Sequence, residues 1–450
     1  MKQQGPIKPP AAFEKHLAQG HLLLGWEETS EARQIGFSSG EKAMPKPKLQ
    51  PLWLEESEAH GLTIAPTGAG KGRSSLIPML LTHRGSCVVV DPKGEAAAVT
   101  AQRRRDMGQR VVMLDPFHLA SEKTDSLNPM DAIKFTGDGV EEFSLTVPSL
   151  LHPDAGGSLK EPFWDIQGDN LLSGVACYLL SAGPEEDRHF MAMRRMLMSD
   201  DVVYNLAVLL DTVGKSMPSM AKQQIGSFLQ TTDVTRSGIL STAQQHLRIL
   251  ADPAVEASLG TTSFSLSDFK SGEPMTIYLI LPSTKLPSHG LLLRNWLSTL
   301  FAVAMSRKEL PHTQTLFAVD EVAALGAMSQ LRVAMTLMRG YGVRCWLYIQ
   351  DLSQLKHLYP LDWETLTNNA GVVQTFGLTN HLMARQVADI FDVRPSELLA
   401  MKADEQMLLF GGGRVKRARK LDYLNDATFR GLYTPNPRYA GRQPGSGVGK

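Results

Sequence analysis

The chain has 450 residues, of which 43% are hydrophobic and 20% charged, and this composition excludes a wholly disordered, collagen-like or disulfide-stapled protein. Its 46 Lys and Arg balance its 46 Asp and Glu, so any contact with nucleic acid must come from local patches. The cysteines, Cys87, Cys177 and Cys345, lie far apart without a CxxC pair, which indicates a reducing compartment and argues against a structural zinc site.

No part of the sequence resembles a membrane anchor or a secretion signal. The N-terminal region lacks the apolar core of a signal peptide, and no apolar run reaches the length of about 18 residues that a membrane helix needs. The best candidate, residues 291–305, is interrupted by Arg294 and Asn295. We therefore expect a soluble, cytoplasmic protein without a membrane-spanning helix of its own.

The chain begins with an extension, residues 1–52, in which Pro- and Lys-rich stretches at 1–10 and 42–51 predict a tail and an exposed loop. Beyond it, short apolar runs alternate with helix-compatible stretches. This rhythm is typical of an α/β fold with a parallel sheet. The expected strands of this part are 61–65, 87–91 and 111–114, and helices are expected at 74–81 and 95–107.

Residues 139–269 differ, because strand-like runs almost vanish and Leu, Met, Ala and Gln predominate. We predict an all-helical insert, with helices at 169–181, 190–197, 202–213 and 217–229. The α/β rhythm then resumes, with strands expected at 275–281, 316–319, 343–349, 372–376 and 406–410. The composition after residue 435 predicts a disordered tail.

Residues 65–72 lie between an expected strand and an expected helix and match most of the phosphate-binding loop pattern G-x4-G-K-[ST]. Gly68 and Gly70 allow successive backbone N–H groups to surround a phosphate, and the helix N-terminus adds partial positive charge. Lys71 supplies a full positive charge for the β- and γ-phosphates of ATP. The predicted nucleotide-binding residues are Pro66, Thr67, Gly68, Ala69, Gly70, Lys71, Gly72, Arg73 and Ser74.

The loop departs from the pattern at two positions. Ala65 replaces the first glycine, which is tolerated if the backbone there needs no positive φ. Gly72 stands where Ser or Thr would give a hydroxyl to Mg²⁺. Either water or the hydroxyl of Ser74 or Ser75 takes that coordination position, since Mg²⁺ usually keeps several waters.

Asp320 and Glu321 directly follow an apolar run. In ATPases with a phosphate-binding loop, an acidic residue at a neighbouring strand end orders the Mg²⁺ shell, and a second can polarise the attacking water. We assign Asp320 to Mg²⁺ and Glu321 to the water, and Gln350, which ends the next expected strand, to sensing the γ-phosphate. Arg339 is either an arginine finger for a neighbouring subunit or an arginine favoured by a helix C-terminus.

Asp91 also ends an expected strand, at the start of the segment Asp-Pro-Lys-Gly-Glu. One interpretation is that Asp91 helps to hold Mg²⁺ or Lys71. The interpretation that we favour is a turn that caps the helix beginning near Glu95.

Together these segments resemble the type IV secretion coupling proteins, the TraG/TraD-like ATPases of conjugation. The segments that carry the resemblance are 65–72, 91–95, 127–129, 163–165, 319–321, 339–342, 350–355 and 375–377. The glycine after Lys71 and the segment 91–95 are specific to this family. The resemblance implies a RecA-like P-loop nucleotide-binding domain with a mostly parallel sheet, an inserted all-α domain, and a homo-hexamer when active.

The pattern of expected strands and helices divides the chain into domains. The nucleotide-binding domain takes 53–138 and 270–434, the all-α domain 139–269, the N-terminal extension 1–52 and the disordered tail 435–450. Family members commonly begin with transmembrane helices, so we expect a natural variant held at the inner membrane by a separate secretion-system protein, or a shortened form. The implied substrates are relaxase–DNA complexes or effector proteins.

Residues 401–450 hold ten Lys and Arg against four Asp and Glu, most densely at 411–420. This run suits either phosphate contacts in a central channel or an edge-strand hairpin protected by its charge. Because no aromatic-rich stretch accompanies it, the expected binding of single- or double-stranded DNA is independent of sequence.

Three functions follow. The first is a coupling ATPase that uses ATP and Mg²⁺ to drive substrate into a type IV secretion channel. The second is a hexameric DNA translocase or helicase unrelated to secretion, which processive movement on naked DNA would identify. The third, which Gly72 keeps open, is a nucleotide-binding adaptor that recruits protein cargo with little hydrolysis.

Overall fold

The computed structural model describes residues 11–29, 48–55, 60–152 and 162–437. The predicted tail at 1–10, the loop residues 42–47 and the tail after residue 437 lie outside the described residues. Eleven strands form one sheet in the described part of the chain. They are β1 (Leu22–Thr29), β2 (Lys48–Leu54), β3 (His60–Ile64), β4 (Cys87–Val90), β5 (Arg110–Leu114), β6 (Met275–Leu279), β7 (Thr315–Asp320), β8 (Val343–Ile349), β9 (Ala370–Thr375), β10 (Glu405–Phe410) and β11 (Arg414–Arg419).

The sheet order is β2-β1-β11-β10-β9-β3-β8-β7-β4-β6-β5. Strands β9 to β5 of this order are parallel, and β10, β11, β1 and β2 extend the sheet in antiparallel fashion. Every residue of β3, β4, β6 and β8 is buried, as expected for parallel strands covered on both faces. The predicted α/β fold with a mostly parallel sheet is confirmed.

Helices cover the sheet and fill the interval between β5 and β6, where the described residues form no strand. They are α1 (Ala11–Ala18), α2 (Ile77–Thr82), α3 (Glu95–Asp106), α4 (Ile133–Thr136), α5 (Val140–Leu151), α6 (Pro162–Ser181), α7 (Phe190–Leu197), α8 (Val202–Val213), α9 (Ser219–Gln230), α10 (Asp233–His246), α11 (Pro253–Leu259), α12 (Leu266–Ser271), α13 (Leu286–Met305), α14 (Ser329–Leu337), α15 (Leu352–Leu358), α16 (Trp363–Asn368), α17 (His381–Phe391) and α18 (Pro395–Leu399). The inserted all-helical region is thus present.

The exposed loop predicted for 42–51 is wrong for residues 48–51, which belong to β2. Pro51 lies within this strand, opposite Trp26 of β1. Proline cannot donate to a strand ladder and is therefore confined to edge strands, and β2 is the edge of this sheet. The domain boundary predicted after residue 52 consequently falls inside β2.

The basic run at 411–420 forms a hairpin with β10, so the structure favours the second of its two interpretations. The hairpin is not at an edge, however, because β11 also pairs with β1. Three of its cations face carboxylates: Lys416 pairs with Glu27, Arg417 with Glu405 and Arg419 with Asp404. These pairs reduce the positive charge that the run offers to a nucleic acid.

His60 begins β3 and makes the native state sensitive to acid. Its Nδ1 accepts a hydrogen bond from the backbone N–H of Cys345 at 2.9 Å, which requires a neutral imidazole. Burial, helped by the charges of Arg344 and Arg339, lowers the pKa of His60 from 6.5 to about 4. The unfolded chain therefore takes up a proton below pH 6.5 and the native chain only below about pH 4, so stability falls as the pH drops through this window.

When the pH is lowered from about 7 to about 5, the free energy of unfolding should fall in both proteins. We expect this fall to be about 2 kcal/mol smaller in His60→Asn than in the parent. The asparagine carbonyl can accept the same hydrogen bond but does not titrate. Urea denaturation at both pH values measures the difference, with the exposed His312→Asn as control. Equal losses in the parent and His60→Asn would contradict the assignment.

Candidate nucleotide-binding site

The predicted site residues follow strands that end at the same edge of the sheet. Strands β3, β8 and β7 are parallel neighbours in that order. The loop 65–72 follows β3, Gln350 follows β8, and Asp320 ends β7. Because the carboxyl ends of parallel strands form the usual ligand-binding edge, these groups converge there. Two strand spacings separate the loop from Asp320, or about 10 Å.

The phosphate loop is anchored at its start and left-handed at two glycines. The backbone N–H of Ala65 donates to the Ile349 carbonyl at 3.1 Å. Gly68 has φ of 81° and Gly70 has φ of 95°, values that side chains rarely allow. A Cβ on Gly68 would meet nothing within 4 Å, so backbone conformation rather than space requires this glycine.

Gly72 opens a π-helical turn, Gly72–Leu76, that continues into α2. A Cβ on Gly72 would also meet nothing within 4 Å, so crowding does not explain the missing hydroxyl. The hydroxyl of Ser75 is used beneath the loop, where it bonds Gln374 at 3.0 Å and Tyr348 at 3.2 Å. Of the two serines that the sequence suggested for Mg²⁺, Ser75 is therefore committed elsewhere.

Ser75 belongs to a buried polar network that the sequence did not reveal. Thr63 and Ser75 both donate to the Gln374 side-chain carbonyl, at 2.8 and 3.0 Å. Gln374 donates to Gln406 at 2.5 Å, and Gln406 donates to the Leu24 carbonyl at 2.8 Å. The network ties the turn after the phosphate loop to β3, β9, β10 and β1, which holds the loop in place.

The ammonium of Lys71 bonds the loop's own carbonyls. Its Nζ lies 2.7 Å from the Ala65 oxygen and 3.5 Å from the Pro66 oxygen. Burial lowers the pKa of Lys71, while the charges of Asp320 and Glu321 raise it. Lys71 and the carboxylate pair therefore interact electrostatically across one site.

Gln350 joins the phosphate loop to the carboxylate pair. Its Oε1 accepts from the Thr67 hydroxyl at 2.8 Å, and its Nε2 donates to Glu321 Oε2 at 2.5 Å. Glu321 has φ of 72°, a left-handed conformation that is uncommon for a glutamate. Its other oxygen, Oε1, is buried and has no hydrogen-bond partner among the described residues. A buried, unsatisfied carboxylate oxygen is costly unless a ligand engages it.

Asp91 is buried at the end of β4 and supports the turn that follows. Its Oδ2 accepts from the backbone N–H of Ala97 at 2.9 Å, in the first turn of α3. Burial raises the pKa of Asp91 to about 7, the Ala97 bond opposes this, and the charge of Asp320 adds to it. The contacts match the capping turn that we favoured, although Gly94 rather than Asp91 is the capping residue itself.

Lys93 is a site residue that the sequence reasoning missed. It follows β4, which lies beside β7. Burial raises the pKa of Asp320, and the charges of Lys93 and then Lys71 oppose that rise. Two lysines from different loops therefore act on Asp320. The segment 91–95 served to recognise the family, but no sequence pattern predicted that the charge of Lys93 acts on Asp320.

Arg339 lies away from the other predicted site residues. It is exposed in the turn Met338–Tyr341, before the start of β8, whereas the site lies beyond the end of β8. Its charge lowers the pKa of His60, which begins β3 at that same opposite edge. Within one chain, Arg339 is not brought to the phosphate loop.

Residues of the C-terminal segment contact the phosphate loop and the residue that follows it, and no sequence pattern predicted these contacts. Asp422 accepts two hydrogen bonds from the Arg73 guanidinium, at 2.7 and 2.6 Å. Lys420 Nζ donates to the Ala69 carbonyl at 3.3 Å and lies 4.7 Å from the centre of the Phe376 ring. Arg73 is therefore occupied by a carboxylate, and Lys420 adds a further cation beside the loop.

A family model described as type IV secretory system conjugative DNA transfer matches residues 25–389, most of the chain. The chain belongs to this family. The resemblance drawn from the sequence motifs is thereby confirmed.

Curated relatives of this chain include coupling and transfer proteins. Conjugal transfer protein TraG of Agrobacterium fabrum is 28% identical over 304 residues, which cover 67% of this chain and 45% of TraG. Protein VirD4 of Rhizobium radiobacter is 24% identical over an alignment of 462 positions, gaps included, which covers 92% of this chain and 65% of VirD4. The chain thus spans about half to two thirds of the length of these relatives.

Solved structures share the fold of this chain. The unbound bacterial conjugative coupling protein TrwBdeltaN70 has a TM-score of 0.62 and 18% identity, and the match covers 81% of this chain and 85% of that one. TrwB in complex with ADP and Mg²⁺ has a TM-score of 0.60 and 17% identity, and the match covers 89% of this chain and 94% of that one.

Among the described helices, none combines the length and apolar character needed to cross a bilayer.

Proposed function

We propose that this chain binds ATP and Mg²⁺ at the loop 65–72 and hydrolyses ATP to drive DNA or protein substrates into a type IV secretion channel. The observation that carries the proposal is the chain of hydrogen bonds from Thr67 through Gln350 to Glu321. It links a phosphate loop to a carboxylate pair, the two parts that ATP hydrolysis requires. The names of the relatives, conjugal transfer and coupling proteins, support the secretion role.

The donors around Asp320 fit Mg²⁺. The carboxylates of Asp320 and Glu321 offer hard oxygen ligands, and Glu321 Oε1 is buried without a partner among the described residues. Asp320 would order the ion's water shell, and Ser74 or a water would replace the hydroxyl missing at Gly72. When bound, Mg²⁺ supplies positive charge that neutralises the phosphates.

The protein's own groups divide the work of hydrolysis. Lys71 exchanges its bonds to the Ala65 and Pro66 carbonyls for bonds to phosphate oxygens. There its positive charge stabilises the negative charge that develops on the leaving group. Glu321 takes a proton from the attacking water, which then forms a bond to the γ-phosphorus as the bond to the β-phosphate oxygen breaks. Gln350, bonded to both Thr67 and Glu321, positions the water and registers the γ-phosphate.

We further propose that the active form is a homo-hexamer in which Arg339 serves a neighbouring subunit. Arg339 is exposed and lies at the opposite edge from its own phosphate loop. That placement suits a residue that reaches the next subunit's nucleotide as an arginine finger. A separate membrane protein of the secretion system would hold the assembly at the cytoplasmic face of the inner membrane, and the all-helical region would receive relaxase or effector proteins.

The test is the ATPase rate of the purified protein with and without single-stranded DNA, with the mass of the particle measured in parallel. We expect turnover to rise at least severalfold with DNA, together with a shift to hexamer in the presence of an ATP analogue. Turnover that stays at background while protein cargo binds tightly would replace this proposal with the adaptor function. Processive movement on naked DNA without secretion components would favour a general translocase.

A further inference from the structure

A second cluster of ligand-type side chains lies outside the nucleotide site, in the all-helical region. His152 follows the end of α5, Asp169 lies in α6, and His246 is the last residue of α10. One ligand atom from each lies within 4.8 Å of those of the other two. The residue after α5, the middle of α6 and the end of α10 therefore bring two imidazoles and a carboxylate together.

The contacts within this cluster leave one nitrogen unused. His152 Nε2 lies 2.8 Å from Asp169 Oδ1. The rings of His152 and His246 stack, with centroids 4.2 Å apart and planes inclined by 27°. His246 Nε2 is buried and makes no hydrogen bond within the described part of the chain. Asp165, one helical turn before Asp169, places an oxygen 4.0 Å from that nitrogen.

The unpartnered nitrogen of His246 suits a metal ligand, since Nε2 is buried and makes no hydrogen bond among the described residues. The neutral imidazole is the form that binds metal ions. A buried ring nitrogen without a partner is otherwise a cost to the fold.

A second histidine–aspartate pair in the same molecule allows a comparison of geometry and burial with this cluster. His289 Nε2 lies 3.1 Å from Asp252 Oδ2, and the His289 side chain is 13% exposed, as is that of His246. No third histidine, cysteine or carboxylate joins this pair among the residues that the structure describes. The cluster of His152, Asp169 and His246 is therefore distinguished by its third ligand and not by burial alone.

We propose that His152, Asp169 and His246 bind a divalent transition-metal ion of the Zn²⁺ type, with Asp165 as the fourth ligand. Two imidazole nitrogens with carboxylate oxygens suit Zn²⁺ and Co²⁺, whereas Mg²⁺ and Ca²⁺ prefer oxygen alone. A bound ion lies in the plane of each ring, so the stacked His246 ring turns toward the carboxylates on binding. Since His246 Nε2 has no hydrogen bond in the described structure, the turn breaks none at that atom. The cysteine spacing, which argued against a structural zinc site, does not bear on this ligand set.

The position of this metal cluster gives the ion a structural role. Coordination would join the ends of α5 and α10 to the middle of α6. His152 and His246 also line a cavity of about 420 Å³, and Arg294 of α13 and Ala324, three residues after Glu321, line the same cavity. The cavity gives an ion access to the ligands, and the bound ion would brace the helical region where it faces the segment that follows the carboxylate pair.

The experiment uses the full chain without an affinity tag, stripped with a chelator and titrated with Zn²⁺ and Co²⁺ by calorimetry. We expect one equivalent of either ion to bind, a visible Co²⁺ absorption band, and a rise in the thermal midpoint on adding Zn²⁺. His246→Gln, which keeps a side chain of similar size, should bind at least about tenfold more weakly and lose the Co²⁺ band. His289→Ala is the matched control and should bind as the parent does.

Either of two results would overturn the proposal. One is a parent protein that binds less than half an equivalent of Zn²⁺ and Co²⁺. The other is binding that falls as much in His289→Ala as in His246→Gln, which would place the metal elsewhere. Asp169→Asn guards against a folding defect in His246→Gln, because it should also weaken Co²⁺ binding while the far-ultraviolet circular dichroism of the protein stays unchanged.

Discussion

The Lys71→Ala protein should hydrolyse ATP at the background rate and should bind ATP at least about tenfold more weakly than the parent. Lys71 carries the only full positive charge within the loop 65–72, and the guanidinium of Arg73, the next residue after the loop, is held by Asp422. Removal of the Lys71 ammonium takes a charge-assisted bond from the phosphates in both the bound state and the transition state. Steady-state hydrolysis and equilibrium binding of a fluorescent ATP analogue measure the two effects.

The matched control for this change is Lys270→Ala. Lys270 Nζ also donates to a backbone carbonyl, that of Phe135, at 2.7 Å, but it lies in α12 away from the site. Its loss removes an equivalent lysine–carbonyl bond without touching the phosphate loop. Nucleotide binding that survives in Lys71→Ala, or that falls equally in both variants, would remove Lys71 from the role proposed for it.

The Glu321→Gln protein should retain ATP binding and lose turnover by about 10²- to 10⁴-fold. Glutamine has the same shape and can still accept the hydrogen bond from Gln350 through its carbonyl, but it cannot take the proton of the attacking water. Single-turnover hydrolysis separates this loss from any change in affinity. The expected signature is therefore a fall in kcat at nearly constant binding.

Glu405→Gln provides the comparison for Glu321→Gln. Glu405 is a partly buried carboxylate that bonds the Arg417 guanidinium in the β10–β11 hairpin. A change there tests the general effect of neutralising a paired glutamate in this sheet. Hydrolysis by Glu321→Gln at the parent rate would show that another group activates the water.

The parallel strands could be predicted because each is a short, continuous apolar run. The expected strand 343–349 coincides with β8, and the run 316–319 lies within β7. The two N-terminal strands, β1 and β2, were not predicted. In β2, Pro51 contradicts strand propensity, and the position of β2 at the edge of the sheet makes this proline acceptable.

For the candidate site, the sequence likewise predicted the individual residues but not the contacts between them. Lys71, Asp320, Glu321 and Gln350 could be found because each directly follows a recognisable strand or loop. Their mutual contacts could not, since they depend on the strand order, in which β8 separates β3 from β7. The ion pair of Arg73 and Asp422 joins residues that are 349 positions apart, and no local sequence pattern predicts such a pairing.

The arrangement of the outer strands sets the order in which the sheet can be completed on the ribosome. Among the described residues, β1 pairs only with β2 and β11, so β1 and β2 join the rest of the sheet through β11. Glu27 and Lys416, which pair across this junction, are 389 residues apart. β1 can therefore complete its hydrogen bonds only after β11 has been synthesised, and pairing over so long a separation makes this side of the sheet slow to form.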